Sequence, residues 1–166
     1  MSKSRTSASP RLSPEVTSAV HKQDYLALEQ LVTDTTLNLP DSDGRTLLTP
    51  VVNYGDLAML QWLLPRSPAL DQQDRNGWTA LHFAAQAYAM EIAALLLAAG
   101  ARVDAPDAYG NTVLGRAAFE SRGRGAMLQL LLAHGANSDQ PNHYGVSPRQ
   151  LAETIANFDV KQFFAQ

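Results

Sequence analysis

Four glycines set the terms on which this chain can fold: Gly44, Gly77 and Gly110 stand 33 residues apart, and Gly145 follows after 35. A period of that length marks a stacked array rather than a single layered core. The surrounding text repeats with the glycines: "DSDGRTLLTPVV" from Asp41, "DRNGWTALHFAA" from Asp74, "DAYGNTVLGRAA" from Asp107 and "NHYGVSPRQLAE" from Asn142. Asp or Asn opens a turn, and Gly supplies a backbone conformation that other residues resist. Thr46, Thr79, Thr112 or Ser147 is then placed to cap the helix that follows. The two extra residues before Gly145 fall in "FESRGRG", 119–125, and read as a lengthened, solvated turn.

Apolar second helices lie downstream in "DLAMLQWLL", "MEIAALLLAAGA" and "AMLQLLLAHGA", with Gly100 and Gly135 as stop signals. A helix pair this short cannot bury its apolar face alone, so neighbouring units must stack to form one continuous core. On these motifs the chain resembles the ankyrin repeat family, the Thr79 to His82 stretch "TALH" lying closest to that family's signature. The resemblance implies an all-α solenoid of stacked helix pairs with short β-turn or hairpin fingers. It divides the chain into a disordered polar tail, 1–13, and a repeat domain, 14–166. Within the domain an N-terminal capping unit, 14–40, precedes repeats at 41–73, 74–106 and 107–141, and a closing unit occupies 142–166. In the first unit Leu26, Leu28, Leu31 and Val32 are read as one helical face, and in the last Phe158, Val160, Phe163 and Phe164 are expected to lie on the preceding repeat.

Departures from the pattern localise irregularity. Thr49 and Gly115 stand where the family has His, Pro50 falls early in its helix, and Pro65 and Pro68 replace a Gly-Ala stop. The 41–73 repeat is therefore expected to be the least regular.

Composition narrows the chemistry. Without cysteine there is no disulfide, thiol nucleophile or thiolate metal site, and the histidines are scattered without ligand spacing. No apolar run approaches the roughly 20 residues that span a bilayer. The opening "MSKSRTSASPRLSP" lacks a secretory core, so a cytoplasmic location is expected. The formal net charge is -3, and the basic tail leaves the body more acidic still. That balance disfavours nucleic acid and points to a protein partner with a basic patch. Neither a phosphate loop nor a G-x-S-x-G elbow occurs, so no enzyme, cofactor or metal is expected. The recurring aspartates are read as turn formers, and His82 as a structural tie between turn and helix, which is its role in the resembled family.

Function is then expected in what varies between repeats, displayed along one concave surface. The partner-binding set is Arg45, Trp78, Phe83, Tyr109, Asn111, Arg116, Phe119, His143 and Tyr144, with an exposed Trp78 as central apolar anchor. The expected activity is non-catalytic protein binding by a chain that is monomeric when unbound. The alternative is a small bacterial immunity or inhibitor protein that covers the active site of a cognate toxin or enzyme.

Overall fold

The computed structural model describes residues 10–156 and 158–164. Helices come in antiparallel pairs: α1 (Pro14–His21) with α2 (Tyr25–Leu31), α3 (Leu48–Tyr54) with α4 (Leu57–Leu63), α5 (Ala80–Ala87) with α6 (Met90–Ala98), and α7 (Val113–Glu120) with α8 (Ala126–Ala133). The last helix, α9 (Pro148–Thr154), is followed by a 3₁₀ turn, Val160–Phe164, in place of a second α-helix. Among the described residues there is no strand, only one isolated bridge between Pro106 and Thr112. The all-α expectation holds.

First helices stack on first helices, α3 on α5, α5 on α7 and α7 on α9, while the second helices α4, α6 and α8 touch more sparsely. Small side chains permit the close approach: Ala84, Ala85, Ala117 and Ala118 are fully buried where α5 and α7 meet. Larger residues fill the space between each pair and the next, with Leu60, Leu63, Leu81, Leu96, Leu114, Leu128 and Leu131 all at 0% exposure. One core thus runs the length of the array, as the stacking argument requires.

The fingers repeat almost atom for atom. Asp74 Oδ1 accepts from the Asn76 and Trp78 N–H groups at 2.8 and 3.0 Å. Asp41 and Asp107 do the same within their turns, and Asn142 Oδ1 accepts from Tyr144 and Val146. Each finger is also tied to the next through backbone: Arg75 N–H donates to Asp43 C=O, Ala108 to Asn76 and His143 to Tyr109, each at 2.9 Å. This contact is why Gly77 must be glycine, since its φ is +76° and a Cβ there would stand 2.5 Å from Ala108 N.

Thr46 does not cap its helix. Phe83, Arg116 and Leu151 donate their N–H to the carbonyl of Thr79, Thr112 and Ser147 respectively. Pro50 holds the matching place, lacks the N–H, and leaves Thr46 C=O to accept from Thr49 N–H at 3.1 Å. The helix consequently begins later, at Leu48, with no side-chain cap. Beyond it α4 stops at Leu63 and a 3₁₀ turn carries Pro65.

Both ends of the array adjust the expected outline. Of the tail expected at 1–13, residues 1–9 lie outside the described residues. Leu12 packs on the core and donates to Pro40 C=O at 3.0 Å, and Ser13 caps α1. Leu26 does not share the buried face of α2; it is 75% exposed, whereas Leu28 is fully buried. Val160 and Phe164 close the core, and Phe163 packs against it. The "FESRGRG" segment forms a turn that exposes Phe119, Arg122 and Arg124 and also makes contacts. Arg124 stacks on the Tyr88 ring at 3.8 Å, and the Phe158 and Phe163 rings lie where side chains on Gly123 and Gly125 would be.

Candidate functional site

His82, read from the sequence as a structural tie, lies inside the array. It is fully buried, and its Nδ1 accepts from the Thr79 N–H at 3.2 Å and lies 3.0 Å from Thr79 Oγ1. That assignment leaves the ring proton on Nε2, which faces the Asn111 backbone without a hydrogen bond of ordinary geometry. Burial pushes the pKa down to about 4, against smaller raising effects from the Asn111 backbone, Asp107 and Asp74. Near neutral pH the ring is an uncharged tie. Gln150 does the same for α9, its Oε1 accepting from Ser147 N–H at 2.9 Å.

The expected exposed anchor is not exposed. Trp78 is half-buried, edge-on to Phe83 at 5.0 Å between ring centroids, with the Arg116 guanidinium 4.4 Å above its ring. Phe83, expected to face outward, is buried at 9% exposure, with Arg45 over its ring at 5.7 Å. The two arginines in turn sit over buried carboxylates: Arg45 Nε is 3.6 Å from Asp74 and Arg116 is 3.7 Å from Asp107. Arg45, Phe83, Trp78 and Arg116 therefore form one layer, cation to ring to ring to cation, that covers His82 and locks three successive repeats together.

The remaining expected residues lie toward the closing unit. Tyr109, Phe119 and Tyr144 are 56%, 63% and 74% exposed, and His143 is exposed beside them. Asn111 is partly buried, its Nδ2 donating to Asp107 and its Oδ1 accepting from Asn142 at 2.7 Å, so it ties fingers together. Between α7 and α9 lies a cavity of about 190 Å³, lined among others by Gly115, Arg116, Phe119, Val146, Pro148 and Leu151. Sequence reasoning singled out Gly115 only as lacking the family's His side chain. The same absence opens the cavity, and Val146, Pro148 and Leu151 line it unforeseen.

A second set went unread. Asn38, Asp71 and Asp104 each accept, through side-chain Oδ1, a backbone N–H from the following unit: Ala69 at 2.7 Å, Arg102 at 2.8 Å and Asn137 at 2.9 Å. Their own 33-residue spacing was the available signal. Among the described residues no group of three or more His, Cys, Asp or Glu side chains is placed to hold a metal ion, and no helix is long and apolar enough to cross a membrane.

No curated protein matches the chain. The family model for ankyrin repeats matches three copies, over residues 17–107 and 50–142. With the finger turns, the stacked helix pairs and the Thr79–His82 tie already in place, the chain belongs to the ankyrin repeat family, whose members generally serve as protein–protein interaction modules.

Proposed function

We propose that this protein binds a partner protein, without catalysis, through the face formed by its fingers and first helices, and that the contact is centred on Tyr109, Phe119 and Tyr144. The supporting observation is the contrast in exposure along that face. Trp78 and Phe83 are engaged in the internal layer, while Tyr109, Phe119 and Tyr144 near the closing unit are exposed, Phe119 lining a cavity. Aromatic residues combine large contact area with few rotatable bonds, which suits them to anchor an interface. Arg45 and Arg116 then serve the layer first and a partner second. The acidic character expected to attract a basic patch is also reduced at this face, because Asp74 and Asp107 are buried beneath arginines.

The test is affinity capture from the source cell with wild type beside a Tyr109→Ala, Phe119→Ala, Tyr144→Ala variant, both checked by circular dichroism. A protein retained by wild type and lost by the folded variant is the expected result. Equal retention by both would place binding elsewhere on the molecule. Trp78→Ala is a poor binding probe, since it is expected to lower the melting temperature.

A further inference from the structure

The cavity between α7 and α9 has a cause. At the position where the buried His82 fills its own repeat, α7 carries Gly115, and a Cβ added there would meet nothing closer than Pro148 Cγ at 3.8 Å and Thr112 Oγ1 at 3.9 Å. The resulting space, about 190 Å³, exceeds the ~150 Å³ of an apolar cavity known to stay dry and accept benzene. Val146, Pro148, Leu151 and Phe119 supply apolar lining, and Phe119 and Val146 are exposed, at 63% and 37%.

Arg116 adds direction. Its guanidinium lies 3.7 Å from Asp107 and 4.0 Å from Glu120, distances that balance its charge without a hydrogen bond, and the side chain keeps 22% of its surface exposed. Donors with no acceptor and a charge already balanced by two carboxylates suit a neutral oxygen better than another anion.

We propose that this cavity receives one Leu- or Phe-sized apolar side chain from an extended segment of a partner protein, whose adjacent main-chain carbonyl accepts from Arg116. The proposal rests on the reading of the finger and first-helix face as the binding surface. It deepens that reading by naming what the partner inserts. A peptide of this kind is recognised by one apolar anchor plus backbone hydrogen bonding, a combination that gives selectivity for side-chain size rather than for charge.

The test uses the full chain and small probes of defined chemistry. In ¹⁵N–¹H spectra, N-acetyl-leucine methylamide and N-acetyl-phenylalanine methylamide are expected to shift the Gly115, Arg116, Phe119 and Leu151 amides. The alanine and aspartate analogues at equal concentration are expected not to. Gly115→Met fills the space from within and places a better helix former in α7, so it is expected to abolish the shifts without lowering the melting temperature. Gly115→Ala is the control that keeps most of the space.

A displayed random peptide library selected on wild type extends the test. Enriched sequences are expected to share one large apolar residue, to lose about tenfold or more in affinity for Gly115→Met, and to bind Gly115→Ala about as well as wild type. Absence of the shifts, their persistence in Gly115→Met, a preference for the aspartate probe, or concentration-dependent shifts without any probe would overturn the proposal. Peptides that bind Gly115→Met like wild type but are lost on Phe119→Ala, Tyr144→Ala would leave the face standing and remove the cavity from it. Peptides indifferent to both variants would remove both.

Discussion

Single residues in this protein divide into those whose surroundings can be read from the period and those whose cannot. His82 belongs to the first kind. A Thr three residues earlier announces the tie, and the structure supplies it. Its protonation has a measurable sign. Because the folded pKa is lowered to about 4 from 6.5, the ring's contribution to stability is complete above about pH 6.5. It erodes as pH falls from there toward 4, where the unfolded chain takes up a proton that the folded ring refuses. At roughly 1.4 kcal/mol per unit the loss amounts to about 3 kcal/mol. In His82→Gln a carboxamide oxygen can accept where Nδ1 does, as Gln150 accepts in α9. Urea melts between pH 7 and 4 are expected to show a smaller decline in that variant than in wild type; parallel declines would mean the ring does not carry the dependence. Trp78 belongs to the second kind. The period places it beside Gly77, but nothing local says that Arg116, a repeat later, lies over its ring.

At the level of the element, the finger is the unit whose chemistry is the most uniform. Its glycines are not equivalent, however, because they have different neighbours. A Cβ at Gly77 would press on Ala108 N of the next finger, while Gly145, at φ +77°, has nothing within 4 Å. Gly145→Ala is therefore expected to cost about 1 kcal/mol, the strain of a left-handed backbone alone. Gly77→Ala adds a backbone clash and is expected to cost about 2 to 4 kcal/mol. Equal midpoints in denaturant for the two variants would show that the stacked fingers yield more easily than their hydrogen bonds suggest. Helix boundaries were legible for α5, α7 and α9, where the residue four places after the Thr or Ser donates its N–H to that residue's carbonyl. Thr46 carried the same letter but not the same function, since Pro50, four places on, has no N–H to give its carbonyl, which accepts from Thr49 instead. Capping depends on the residue four places on as much as on the cap itself.

Over the whole molecule, stability is distributed by position in the array. α5 and α7 have a first helix on either side, whereas α9 is backed by a 3₁₀ turn, and α1 and α2 lie at the other end. Native-state hydrogen exchange is expected to be slowest in α5 and α7 and to quicken toward α1, α2 and α9. A uniform rate across all units would instead mean that the array opens as one body. The fold was legible in the sequence because a repeated motif is tested several times over by its own copies. The candidate site was legible only in outline. It is made by departures from the motif, Gly115 among them, and a departure shows what is missing without showing what its neighbours do with the space. Each described pair of adjacent fingers is joined by a hydrogen bond between backbone atoms, His143 N–H to Tyr109 C=O among them, and that joint does not depend on which side chains stand at Tyr109 and Tyr144. Tip residues not committed to packing, such as Tyr109 and Tyr144, are thus free to drift under selection for a new partner while the same scaffold is inherited unchanged.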